Sequence, residues 1–205
     1  MKNIVKLLIG CVAAAGIASS ASAQISLSLS PSSQSVGLNG VQSFDLNISG
    51  LKGSADYSGP ALGGFEVTLD YDSTIASAQS VTFGSMLNLS GSDFQYSDTT
   101  TTPGVITIEE ISYDSASALE AAQGKSFTLA TFTLQGINLG STAITFDLSY
   151  GNTSLSDENA HTLDLAGGAI GASLKVVPEP GTCTMALMGL GLLGLRARNR
   201  AGRNS

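Results

Sequence analysis

Residues 65–72 read FEVTLDYD. Phe65, Val67, Leu69 and Tyr71 fall on one parity, and Glu66, Thr68, Asp70 and Asp72 on the other. That period of two is the mark of a strand with one face on a core and one in water, because successive side chains leave a strand on opposite sides. The pattern recurs on both flanks. Ile25, Leu27 and Leu29 alternate with serines in ISLSLS, which stops at Pro31. Phe44, Leu46 and Ile48 alternate with Asp45, Asn47 and Ser49, and Ile144, Phe146, Leu148 and Tyr150 with Thr145, Asp147 and Ser149. Val81 and Phe83, Ile106 and Ile108, and the stretch 170–176 add further strands. SFTLATFTL at 126–134 changes parity between Leu129 and Phe132, which predicts a bulge. One short helix is predicted over 114–122, capped by Asp114 or Ser115 and stopped by Gly124.

Eight or nine short strands separated by Gly, Ser, Asn and Asp turns predict an all-β fold, an antiparallel sandwich of two sheets. No fixed repeat is present, which excludes solenoids and propellers. Residues 50–60 and 91–104 (GSDFQYSDTTTTPG) read as long polar loops, with Thr99–Thr102 as a flexible stretch.

The two ends of the chain differ from this middle. Lys2 and Lys6 precede an apolar run over 7–17 and the small-residue site Ala21-Ser22-Ala23, which together form a secretion signal over 1–23 with Gln24 as the mature N-terminus. LIGC at 8–11 offers a rival lipoprotein box at Cys11, but the apolar run continues past the cysteine. At the other end come Val177, Pro178, Glu179 and Pro180, then an uncharged segment over 182–195, then Arg196, Arg198, Arg200 and Arg203. Two prolines disfavour helix before them, so 178–181 is expected as an extended strip. An apolar segment backed by arginines reads as a transmembrane helix with a cytoplasmic stop. Its 14 residues would make about 21 Å of helix against a hydrocarbon core of roughly 30 Å, a short span that suits a temporary hold.

Residues 24–177 carry three lysines against fifteen acids, a net of −12 that the whole-chain −7 conceals. Such a surface repels nucleic acid and favours cations or basic partners, besides keeping the domain soluble. Both cysteines, Cys11 and Cys183, lie in the end segments, so no disulfide supports the 154-residue middle. That length suits a single domain.

The tail resembles the PEP-CTERM sorting signal of Gram-negative bacteria: V-P-E-P-G, an apolar helix and a terminal arginine cluster, in order. The resemblance implies recognition by an exosortase, a membrane-embedded cysteine transpeptidase-like enzyme, and export linked to extracellular polysaccharide. The precursor would then sit in the periplasm and inner membrane, and the sorted product at the cell surface or in the matrix. A plain membrane anchor on a proline-stiffened stalk is the simpler alternative. ALGGFEVTLDYDSTIASAQSVTFGSML and SFTLATFTLQGINLGSTAITFDLS in turn look like a cohesin-type domain. That implies a jelly roll related to carbohydrate-binding modules and a protein partner bound through one sheet face, with no binding residue carried over.

Little in the middle points to catalysis. His161 is the single histidine, near Ser156 and Asp164, but no G-x-S-x-G elbow accompanies it, and a surface loop is the better reading. No histidine–cysteine cluster is present for zinc, and no cofactor is implied. Asp70 and Asp72, at the end of the FEVTLDYD strand, are the candidate calcium ligands, against which a turn-forming role stands. Asp157-Glu158 and Glu109-Glu110 are further acidic pairs. Tyr57, Phe94, Tyr96 and Tyr113 are the loop aromatics on which a sugar could stack. The expectation is a non-catalytic exported protein whose sandwich makes protein contacts, with exopolysaccharide binding as the alternative.

Overall fold

FEVTLDYD becomes the middle and end of a central strand whose inward residues, Phe65, Val67 and Leu69, are all buried. A computed structural model describes residues 24–51, 60–91, 95–149 and 151–178, with isolated positions 181 and 188. In chain order the elements are β1 (Ser26–Ser30), β2 (Ser33–Gly37), β3 (Val41–Ser49), β4 (Leu62–Asp70), β5 (Ala76–Phe83), β6 (Gln95–Thr102) and β7 (Val105–Ser112). Then follow α1 (Ala116–Ala122), β8 (Ser126–Gly136), β9 (Gly140–Phe146), β10 (Thr153–Asp157), β11 (Ala169–Ile170) and β12 (Ala172–Val177).

They form two packed sheets. The smaller has the order β11-β1-β3-β8-β5; the larger has β2-β12-β9-β4-β7-β6, with β10 also paired to β4. Leu27, Leu29, Phe44, Leu46, Ile48, Phe132 and Leu134 line one side of the core, and Val67, Leu69, Ile106, Ile108, Ile144 and Leu174 the other. Each such side chain contributes about 1.5–3 kcal/mol on burial. Phe44 and Phe132 stack at 5.6 Å, a separation typical of offset aromatic pairs.

The sandwich agrees with the alternation, and several details correct it. Twelve strands replace the eight or nine expected, partly because β1 and β2 are one run that changes sheet at Pro31. Two pairs are parallel, β1 with β11 and β2 with β12, where antiparallel pairing was expected throughout. Thr99–Thr102, expected in a loop, belongs to β6, joined to β7 by Pro103-Gly104 with Gly104 at φ +92°. Proline followed by a positive-φ glycine is the chemistry of a type II turn. β6 escaped the period-two test because almost every residue of this edge strand is exposed.

The strand expected through Leu148 and Tyr150 stops at Phe146. Asp147 turns the chain outward: its Oδ1 accepts from Ser149 N (2.9 Å), its Oδ2 from Asn152 Nδ2 (2.6 Å) and its carbonyl from Thr153 Oγ1 (2.7 Å). The loop closes on Thr68 of β4, which accepts from Asp147 N and donates to Asn152 O, both at 2.9 Å. Leu148 is consequently exposed. Asp72 lies past the end of β4, in the turn to β5, and not on the strand.

The parity change in β8 is a bulge. Leu46 pairs with Ala130 and Asn47 with Thr128, leaving Leu129 unpaired with β3, and both Leu129 and Ala130 are buried. α1 is capped by Ser115, whose side chain accepts from Ala118 N. The helix ends at Gln123, itself buried, whose amide Oε1 accepts from Leu62 N (2.7 Å) while Nε2 donates to Leu62 O (2.8 Å) and Met86 O (3.1 Å). It takes up the backbone groups of β4 beyond the point where β7 stops pairing at Gly64–Ile111.

The signal segment 1–23, with Ala21 and Ala23, lies outside the described residues, as do Glu179, Pro180, the arginines and all of the apolar stretch but position 188, while Gly181, expected at the end of the extended strip, is helical. Among the described residues no helix is long and apolar enough to cross a membrane.

Candidate functional site: the outer face of the larger sheet

The register across β10, β4, β7 and β6 places their outward residues in rows. One row runs Ser154, Glu66, Glu109, Asp98. The row beside it, toward the start of β4, runs Ser156, Gly64, Ile111, Tyr96; on the other side Thr68, Thr107 and Thr100 follow, with the Thr68 and Thr107 hydroxyls at 3.1 Å.

Three carboxylates thus stand side by side on neighbouring strands, and none of the four strands contains a lysine or arginine. Like charges directly opposite each other on a sheet repel. Partial burial pushes the Glu109 carboxyl up, and the charges of Glu66 and Asp98 push it the same way. Asp98, then Glu109, raise the Tyr96 phenol. The row is therefore a repulsive arrangement that a basic side chain would relieve.

An apolar rim adjoins it. Tyr96, Ile111, Tyr113 and Leu89 are all exposed, Tyr113 by 61%. The loop carrying Leu89 is held by Asp114, whose carboxylate accepts from Ser90 Oγ and from Leu89 N (2.9 Å). Those bonds, that of Ser90 foremost, keep Asp114 below the usual carboxylate range against the effect of burial. Between the acid row and the rim is a dip of about 90 Å³, bordered by Glu66, Glu109, Ile111, Ser154 and Ser156. Ligand pockets run to several hundred Å³, so this dip is far smaller than a small-molecule site. A hollow of about 460 Å³ lies at the Asp147–Asn152 loop, lined by Leu148, Leu155, Leu163 and Leu165 with serine and threonine, and no titratable group is among its described lining residues.

The candidates from the sequence separate as follows. His161 pairs through Nδ1 with Asp157 Oδ2 at 3.1 Å, with its side chain 78% exposed. Ser156 Oγ turns instead to Gly64 O at 3.4 Å. Burial works against the Asp157 charge, but backbone N–H bonds from His161 and Asn159 outweigh it and hold the carboxyl low. Asp157, Asn159 and His161 form a loop lock. Asp72 Oδ1 accepts from Thr74 Oγ1 (2.6 Å) and Thr74 N (2.8 Å), the first lowering its pKa most. Asp70 faces outward at the end of β4, and among the described residues no three His, Cys, Asp or Glu side chains are grouped to hold a metal ion. Tyr57 and Phe94 lie outside the described residues, whereas Tyr96 and Tyr113 are both exposed on the rim.

Glu109 and Glu110, adjacent in sequence, part company. Glu109 joins the acid row, while Glu110 points inward, 1% exposed, opposite Phe65. Its parity with Ile106 and Ile108 was the available signal.

The PEP-CTERM protein-sorting motif matches residues 176–201. The fold is that of cohesins. CaCohA2 from Clostridium acetobutylicum superposes with a TM-score of 0.56 at 19% identity, covering 75% of this chain and 91% of that one. The sixth cohesin of scaffoldin B from Acetivibrio cellulolyticus, solved with a Cel5 dockerin, gives 0.56 at 11%, covering 75% and 99%. The cohesin module of a Clostridium perfringens family 33 glycoside hydrolase gives 0.52 at 14%, covering 76% and 97%. No curated protein matches the chain.

Proposed function

We propose that this is a non-catalytic exported protein, sorted through its tail and displaying the outer face of the larger sheet to a basic protein partner. The signal over 1–23 exports it, cleavage leaves Gln24 first, and the segment 182–195 with Arg196, Arg198, Arg200 and Arg203 holds it in the membrane. An exosortase then acts at Val177, Pro178, Glu179 and Pro180, and the domain ends at the cell surface or in the matrix. Support for the tail comes from the match over 176–201. The contact role rests on one observation, the row Glu66–Glu109–Asp98 on strands without lysine or arginine, beside the exposed Tyr96, Ile111 and Tyr113. Charge complementarity with an aromatic anchor is how protein interfaces combine steering and affinity. The dockerin bound by the Acetivibrio cohesin makes a protein partner the natural class.

The two exposed tyrosines favour a second reading, in which exopolysaccharide stacks on Tyr96 and Tyr113. A photo-crosslinker at position 96, compared in the producing cells with one at Ser43 on the smaller sheet, tests both. The expected result is a protein adduct from position 96 alone, diminished by Glu66→Gln with Glu109→Gln. A polysaccharide adduct there would select the second reading, and equal labelling from both positions would overturn the face.

A further inference from the structure

The last strand runs straight into the sorting strip. β12 ends at Val177, whose register neighbours are Gly37 on β2 and, one step past the Val176–Gly140 pair, Leu139 before β9. Leu38 N donates to Val177 O at 3.2 Å. The exit of the chain is therefore flanked by two leucines, and both are in solvent: Leu38 is 36% and Leu139 54% exposed. Val41, 51% exposed, opens β3 at the same end. The segments around them, VGLNGV at 36–41 and GINLGS at 136–141, hold no charge. Lys175, exposed on β12 two residues before the exit, is the nearby cation in sequence.

The geometry points to this end of the sandwich as a lipid-contact surface, with Leu38 and Leu139 resting on the bilayer while the precursor is held by its tail. The inference builds on the proposed reading of 182–195 as the membrane segment. Only Pro178 to Gly181 separate Val177 from it. Four residues reach at most about 14 Å when fully extended, and Gly181 is already helical, which shortens that reach. The polar layer on each side of the hydrocarbon is roughly 5–7 Å thick. Val177 thus stands in the headgroup layer or just above it. Side chains one strand spacing away, about 4.8 Å, stand at the same level. Exposed leucines there meet lipid, and the lysine beside them suits anionic headgroups. Contact would fix the domain upright, with the acid row on its outer face held clear of the bilayer.

The chain contains no tryptophan, so a single one reports position. The chain from Gln24 to Ser205, as left after signal cleavage, carrying Leu139→Trp, Leu38→Trp or Tyr113→Trp is reconstituted in phosphatidylethanolamine vesicles containing a minority of phosphatidylglycerol, with brominated acyl chains as quencher. Co-flotation with the vesicles reads the tail; quenching reads the contact. Expected are flotation of all three, blue-shifted and strongly quenched emission at positions 139 and 38, and unquenched emission at 113. Flotation with positions 139 and 38 quenched no more than 113 would overturn the contact and leave the tail reading standing. Failure to float would overturn the tail reading and the contact together.

Discussion

Glu110 is the residue whose environment is hardest to reconcile with its chemistry. It sits on the inward parity of β7 after Ile106 and Ile108, opposite Phe65 on one side and Ser97 on the other, and its Oε1 has no hydrogen-bond partner among the described residues. Burial pushes its carboxyl from 4.5 to about 7. Between those two pH values the folded chain keeps a proton that the unfolded chain has released, so stability falls as pH rises through that window and levels off above it. The whole loss is about 3 kcal/mol. Glu110→Gln keeps the shape and removes the titration. Urea unfolding is expected to find the variant more stable than the parent by up to that amount at about pH 8, with the difference gone near pH 4. Equal stability of the two chains at alkaline pH would show that the carboxylate is solvated in the fold. The acids at 109–110 are plain in the sequence. That one enters the core while its neighbour joins a charged row follows only from extending the strand's parity against the expectation that charges stay in water.

At the scale of elements, residues that alternate against a deep core were legible and residues on edges were not. The bulge at Leu129 and the Ser115 cap follow from local pattern because both act within a few residues. β6 was hidden because neither of its faces is covered, and only the β-branched character of TTTT hinted at a strand. The excursion after Phe146 was hidden because Leu148 and Tyr150 continue the alternation; the Asp147 side chain breaks the strand by a bond the hydropathy pattern does not carry. Gln123 is the clearest long-range case, since it completes the start of β4 from 61 residues away. Gln123→Leu would leave the buried N–H and C=O of Leu62 without partners, at a cost of about 2–4 kcal/mol. Chemical denaturation should show that loss as a lower midpoint with an unchanged slope. A midpoint matching the parent would mean that α1 docks through Leu119 alone.

Across the whole molecule, the chain's direction assigns the ends. The domain begins beside Ser49 and leaves beside Gly37, and β3, nine residues and about 27 Å, runs between those levels. The tail leaves from the Gly37 end of the sandwich, whereas the acid row lies mid-strand on the outer face of the larger sheet. The tail was legible from its order of proline strip, apolar segment and arginines, because those properties act without any fold. The acid row was not, because Glu66, Asp98 and Glu109 are scattered in sequence and come side by side only through strand register. The central claim is that the tail is a processed sorting signal and not an anchor, and the C-terminus of the mature protein tests it. In a host encoding an exosortase, mass spectrometry should find the wild-type chain without Arg196–Arg203, and the variant Pro178→Ala, Glu179→Ala, Pro180→Ala uncut in the membrane fraction. Mature wild-type protein that still ends at Ser205 would contradict the account.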